Sequence, residues 1–162
     1  MRKLYLDSST IAKRYVAEPG TATTDLLYEQ AERGGLLLAF SIWNVGEVLS
    51  VFDRRRRQGW LAEGEFSEAL RMFAGETSKL LRLKALEIIP MLTPVLTGSW
   101  GVILNRHVDG ADAVQITSCL HAKSDALLSA DEELIRTSRE LGLTAFDVTS
   151  EEDELARFLK GP

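Results

Sequence analysis

Short apolar runs alternate with amphipathic stretches along the whole chain. Leu4-Tyr5-Leu6 carries no charge and ends at Asp7, the pattern of a short strand buried on both faces. Leu36 to Phe40, Leu86 to Ile89, Ala126 to Ser129 and Leu143 to Val148 repeat it. The segments between them have helical spacing. Ser8 or Ser9 caps a helix running to about Ala17, which Glu18-Pro19-Gly20 stops. A second helix covers Thr21 to Arg33, and Gly34-Gly35 ends it. Ser41 opens a third, with Ile42, Val45, Val48, Leu49 and Phe52 predicted to face the core. Ala62 to Arg82 reads as one or two helices with a stripe of Phe66, Leu70 and Phe73. Further helices are expected from Pro94 to Arg106, from Ala113 to Ala122 and from Glu132 to Leu141, with a short acidic one closing the chain. Strands that alternate with helices predict one α/β domain over residues 1–162. Its parallel sheet of about five strands would have helices on both faces.

Composition sets bounds on function. The 162 residues suit one domain with its own core, and 45% hydrophobic with 27% charged is ordinary for a soluble protein. The net charge of −5 argues against an extended nucleic-acid surface, though not against a local one. Cys119 is the single cysteine, so there is no internal disulfide, in keeping with a reducing cytoplasm. Its apolar surroundings read as a helix interior. Arg2-Lys3 is followed by only three apolar residues before Asp7, which gives no leader pattern. Ile88 to Leu104 is free of charge, but Pro90, Pro94, Gly98 and Gly101 break it. It reads as a strand end, a turn and a helix, with no membrane span.

Four acids carry the candidate chemistry. Asp7 and Asp131 follow the first and fourth predicted strands, Glu47 lies early in the third helix, and Asp112 opens the helix before strand four. Open α/β sheets gather functional groups in the crevice at the carboxyl ends of their strands. Carboxylates crowded there cannot all stay ionised without a cation. Each acid also has a plainer reading: Asp7 and Asp131 as helix caps, Glu47 as a charge near a helix start, and Asp109, three residues before Asp112, as the cap of that helix. Arg54 to Arg57 form a run of four positive charges in the last turn of the helix carrying Glu47. They suit phosphate contact or a solvated helix end. Lys13 and Arg14 could add to such a surface. Trp43, Trp60 and Trp100 could stack on bases, although core or interface roles are the commoner use. His107 and His121 have no partners at metal-ligand spacing.

The ordered pattern resembles the PIN-domain nucleases, most closely the VapC-like toxins of bacterial and archaeal toxin–antitoxin pairs. The matching stretches are Leu4-Tyr5-Leu6-Asp7-Ser8-Ser9, Asn44-Val45-Gly46-Glu47-Val48, Gly110-Ala111-Asp112-Ala113-Val114-Gln115 and Leu127-Leu128-Ser129-Ala130-Asp131. The resemblance covers about residues 2–149. It implies that Asp7, Glu47, Asp112 and Asp131 are catalytic and hold Mg²⁺ or Mn²⁺. It implies that Ser9 supports the first aspartate and that Ser129 matches the hydroxyl residue two before the last acid. Asp109 could share or replace the role of Asp112. The activity implied is hydrolysis of RNA phosphodiester bonds to 5′-phosphate and 3′-hydroxyl ends. The partners implied are a cognate antitoxin and a second copy of the chain, for which the helices of residues 62–82 offer apolar positions.

Other phosphoryl-transfer folds fit less well. Haloacid-dehalogenase phosphatases need an Asp where Ser9 stands, and receiver domains need an acidic pair beside the first strand. An RNA-processing nuclease without antitoxin, or a non-catalytic binding module on the same fold, stays open as an alternative.

Overall fold

The computed structural model describes residues 1–161. Five parallel strands, β1 (Arg2–Leu6), β2 (Leu36–Ser41), β3 (Leu86–Ile89), β4 (Ala126–Ser129) and β5 (Ala145–Asp147), form one sheet in the order β3-β2-β1-β4-β5. Leu4 lies opposite Leu38 on one side and Ala126 on the other. After β3 the chain crosses to the far side of β1, so the strand order reverses between β1 and β4. That reversal opens a crevice at the carboxyl ends of these two strands.

Alternate strand residues feed two cores, as a pleated strand requires. Leu4, Leu6, Leu38, Phe40, Ala126 and Leu128 face one side. They pack there against α1 (Ser8–Lys13), α2 (Thr21–Glu32), α3 (Ile42–Arg57), α4 (Glu63–Arg82) and α8 (Glu152–Lys160). Tyr5, Ala39 and Leu127 face the other side, against α5 (Thr93–Arg106), α6 (Gly110–His121) and α7 (Glu132–Glu140). Cys119 is buried in this second core. The first core holds an aromatic cluster in which Tyr15 meets Tyr28, Phe52 and Phe73 edge-on, with ring centroids 5.4 to 6.3 Å apart. Edge-to-face packing directs the positive ring edge at a negative ring face.

The helices depart from their predicted extents in places. The first helix ends at Lys13, four residues early, because its last turn tightens into i→i−3 bonds from Arg14 and Tyr15. The Thr21 hydroxyl then donates to the Lys13 carbonyl at 2.9 Å. Gly20 holds a left-handed φ of 92°, and a side chain there would stand 3.0 Å from the Val148 carbonyl. Only glycine fits that close approach without strain. In α3, Val48 and Phe52 face the core as expected, but Ile42 and Leu49 are 49% and 42% exposed. They sit on the flank, because Asn44 occupies the buried position at the helix start. Residues 63–82 form one helix with the predicted stripe. Trp43, Trp60 and Trp100 lie at the surface rather than in the core. The uncharged stretch around residues 88–104 resolves into β3, a turn and α5. Among the described residues no helix is long and apolar enough to cross a membrane.

Truncating Phe52 to Ala removes the ring shared by Tyr15 and Phe73. It should lower unfolding free energy by about 3–5 kcal/mol, read from urea denaturation, with an unchanged native circular-dichroism spectrum.

Candidate metal centre

Asp7 stands at the carboxyl end of β1, 4% exposed, where it caps α1 by accepting from the Thr10 amide at 2.8 Å. Two hydroxyls complete its shell. Ser9 Oγ donates at 2.8 Å and Ser129 Oγ donates to Oδ2 at 2.7 Å. Each hydroxyl in turn accepts a backbone N–H from the loop after β4: Ala130 to Ser9 and Asp131 to Ser129, both at 2.9 Å. The two serines thus relay main-chain dipoles toward the carboxylate and tie the two strand ends together. Burial still raises the Asp7 pKa above the ordinary carboxylate value, against the lowering effect of Ser129, Thr10 and Ser9.

Glu47 projects from the second turn of α3 and is held by a polar chain through the core. Ser41 begins α3 with a capping box in which its amide and hydroxyl both donate to Asn44 Oδ1, at 2.8 and 2.7 Å. Asn44 Nδ2 donates to Gln115 Oε1 at 2.9 Å, and the Tyr5 hydroxyl lies 2.9 Å from both amide oxygens. Gln115 Nε2 then donates to Glu47 Oε2 at 2.6 Å. Tyr5, Asn44 and Gln115 are buried, so β1, α3 and α6 are locked together by groups that leave Glu47 aimed outward. Burial raises the Glu47 pKa, the charges of Asp7 and Asp109 add to the rise, and Ser8 and Trp43 work against it.

The remaining acids come from two helix starts. Asp109 caps α6 by accepting from the Asp112 amide at 2.9 Å. Asp112 therefore sits in the first turn with its own carboxylate free. Its pKa is pushed up to about 7, first by burial and then by the charges of Asp109, Asp131, Glu133 and Asp7. Asp131 caps α7, accepting from the Glu133 and Leu134 amides through one oxygen, Oδ1. The capping readings therefore hold for Asp7, Asp109 and Asp131 without removing these groups from the crevice, because a cap engages only part of a carboxylate.

The crevice holds concentrated negative charge that no ion pair neutralises. Among the described residues no Lys, Arg or His forms a salt bridge with Asp7, Glu47, Asp109, Asp112 or Asp131. Nor do three or more acid, imidazole or thiolate side chains among them close a ligand cage. The acids act on one another through space while the centre stays open. A hard cation such as Mg²⁺ suits that arrangement, because it is held by one or two carboxylates and retains several waters.

The basic residues divide sharply. Arg55 pairs with Glu18, Arg56 with Asp53 and Glu63, and Arg57 with Asp53. Arg56 also stacks over the Phe66 ring. Arg54 has no such partner among the described residues and lines an open cleft of about 470 Å³ beside Ser8, Trp43 and Glu47. Lys13 is tied to Glu18, and Arg14 to Glu76 and Asp25, so neither is free for a ligand. His107 and His121 are exposed at helix ends.

Three residues of this centre have no role assigned from the sequence: Tyr5, Asn44 and Gln115. Their signal is a polar group inside an apolar stretch, as in Ala113-Val114-Gln115-Ile116, since a buried amide must find a partner.

No family model matches the sequence, and no curated protein is significantly similar to it. Solved structures are similar over nearly the full length. PAE2754 from Pyrobaculum aerophilum is 17% identical with a TM-score of 0.67, covering 96% of each chain. VapC20 from Mycobacterium tuberculosis, a sarcin-ricin loop cleaving toxin, is 13% identical with a TM-score of 0.59, over 87% of this chain and 96% of that one. VapBC2 from Rickettsia felis, solved on a DNA fragment from its promoter, is 11% identical with a TM-score of 0.56, over 90% and 98%. At such identities the likeness is one of fold, and the chain has the PIN-domain fold of the VapC-type toxins.

Proposed function

We propose that this protein is a metal-dependent endoribonuclease, the toxin of a VapBC-type pair, acting in the cytoplasm. The observation that carries this reading is the uncompensated acid cluster at the strand-order reversal. A phosphodiester is itself negative, so these carboxylates would repel it unless a cation stood between them. Asp7, Glu47, Asp112 and Asp131 would hold Mg²⁺ or Mn²⁺ between them, one or two directly and the others through its waters. The bound ion supplies Lewis acidity, lowering the pKa of water and offsetting charge on the phosphate. Ser9 and Ser129 keep Asp7 in one rotamer, and Gln115 orients Glu47. Asp109 fixes the start of α6 and adds to the field that favours a cation.

The antitoxin partner follows from the same charge. An arginine from an antitoxin segment would find five acids that no internal ion pair engages, and arginine–carboxylate pairing is strong. A second copy of the chain would cover α5. Leu92, at the N-cap, and Leu96, Trp100 and Leu104 within the helix recur every four residues, 39 to 74% exposed. Such a stripe exceeds the exposed apolar surface of α4, where Met72 and Leu81 are 41% and 42% exposed.

Three outcomes test this reading. Asp7→Asn should cut RNA cleavage by at least ~10²-fold with thermal stability equal or higher, and EDTA should abolish wild-type cleavage until Mg²⁺ or Mn²⁺ is restored. An Asp7→Asn protein cleaving at the wild-type rate would refute the assignment.

Stability of the metal-free protein should fall as pH rises from about 4 to 7 and level off above that. The folded pKa of Asp112 stands near 7, above the ordinary carboxylate value of ~4, so the folded state binds more protons than the unfolded state in this window. Asp112→Asn should flatten that slope and stabilise the protein at about pH 8 by roughly 1–2 kcal/mol, a modest figure because solvent screens this half-exposed group. Calorimetry in EDTA reads both effects. Finally, Trp100→Glu should shift the protein from dimer to monomer in sedimentation experiments while leaving the fold intact.

A further inference from the structure

The cleft beside the acids has a wall of one helix. Trp43, Glu47, Ser50 and Arg54 line it, and they stand at i, i+4, i+7 and i+11 on α3. That spacing makes a single continuous face. The face is neither the apolar stripe of a core helix nor a run of solvated charges. It presents an aromatic ring, an acid, a hydroxyl and a guanidinium in that order. Trp43 is 47% exposed, and Arg54 is exposed. Ser50 donates to the Gly46 carbonyl at 3.0 Å and so lies flat against the helix, widening the cleft. Gly46 also lines the cleft, and a Cβ built on it would meet nothing within 4 Å.

Ion pairing distinguishes Arg54 from its three neighbours. Arg55, Arg56 and Arg57 share the carboxylates of Glu18, Asp53 and Glu63. Arg54, among the described residues, has its guanidinium donors unspent and lines the same cleft as Glu47. A donor fork of this kind suits a phosphate. Trp43 offers a π-face, on which any base can stack. Neither group suits an apolar peptide segment, which would need an apolar groove.

We propose that this face of α3 is a single-stranded RNA subsite, with Trp43 stacking one base and Arg54 gripping one backbone phosphate on opposite sides of Glu47. This inference rests on the nuclease reading. At 1.5 Å rise per residue, Trp43 precedes Glu47 by about 6 Å along the helix axis and Arg54 follows it by about 10 Å. A strand lying along α3 would therefore have its stacked base on one side of the metal centre and its gripped phosphate on the other. The substrate must extend both ways from the scissile bond, so a dinucleotide would be a poor substrate. Of the four arginines, only Arg54 takes part in binding.

Binding of a non-cleavable 2′-O-methyl RNA octamer, read at several salt concentrations, tests this together with cleavage kinetics. Trp43→Ala should raise KM and the octamer Kd about 10-fold with little change in kcat, and Trp43→Phe should restore most of it. Arg54→Ala should weaken binding and reduce the slope of log K against log salt by about 0.7, the loss of one single-strand phosphate contact, whereas Trp43→Ala leaves the slope alone. Arg54→Lys should keep the slope. Arg57→Ala, equally exposed but paired with Asp53, should change neither quantity. All three substituted residues lie at the surface, so thermal melts should show folded protein throughout. Wild-type cleavage with KM, Kd and salt slope unmoved in the Trp43 and Arg54 variants would overturn the subsite and leave the nuclease reading standing. Absence of both cleavage and octamer binding in the wild type would overturn both. Variants that keep full RNA affinity but lose a purified partner protein would show that the face serves protein contact, and would also overturn the proposal.

Discussion

A carboxylate with almost no access to solvent, at the end of the central strand, is the constraint around which this molecule is arranged. Asp7 cannot stay charged in that position without donors. The chain supplies an amide from α1 and two hydroxyls, one from α1 and one from the end of β4. Because those hydroxyls also receive the amides of residues 130 and 131, the crossing from β4 into α7 is fixed by the same bonds that hold Asp7. The position of Asp131 is thereby coupled to that of Asp7. Reversal of strand order between β1 and β4 makes the coupling possible, since it brings residue 7 beside residue 129 across an opening that no helix fills.

Charge and packing pull in opposite directions around that opening. Burial raises the pKa values of Asp7, Glu47 and Asp112, and repulsion from neighbouring acids adds to the rise at Glu47 and Asp112. Each raised value means that the ionised group is less favourable in the folded state than in the unfolded one. Apolar burial elsewhere must offset this. The aromatic cluster of Tyr15, Tyr28, Phe52 and Phe73 lies under α3 and α4 in the same core layer as α1, whose cap is Asp7. A well-packed layer tolerates a strained charge at its edge, where a loosely packed one would relax by letting water in. This is a common arrangement of functional sites, in which local instability is compensated by the surroundings.

The extent to which the sequence announces this structure depends on the range of the interaction. Strand runs, alternation with helices and the caps at Ser41 and Asp109 are local patterns, and the structure reproduces them. Three of the four acids stand out because each follows a strand or opens a helix, and Glu47 lies one turn further in; topology places them around one crevice, but no three of them among the described residues close on a single ion position. Features that depend on distant partners were not legible. Gln115 looks like any polar residue in a helix until its amide is seen bridging Asn44 and Glu47 across 71 and 68 positions of sequence. The arginine run reads as four equivalent charges, yet three are consumed by Glu18, Asp53 and Glu63. Ile42 and Leu49 fit the helical period as core residues, but Asn44 takes the buried slot, because its capping bonds are worth more at that place than an apolar contact.

The rotation of α3 about its own axis therefore decides whether the centre can form. Two sets of contacts fix it. Val48 and Phe52 anchor one face in the core, and Asn44, bonded to Ser41 and Gln115, anchors the start. Successive residues of a helix are about 100° apart, so a slip of one position would carry Glu47 away from Gln115 and bury an unpaired carboxylate. The polar network and the aromatic core have different geometric demands, and both are met in only one setting of the helix. That setting leaves Trp43, Glu47 and Arg54 together on the open side. The chemistry of the exposed face is thus set by groups that never reach the surface, and substitutions among Tyr5, Asn44 and Gln115 would act on the centre through orientation rather than through contact with any ligand.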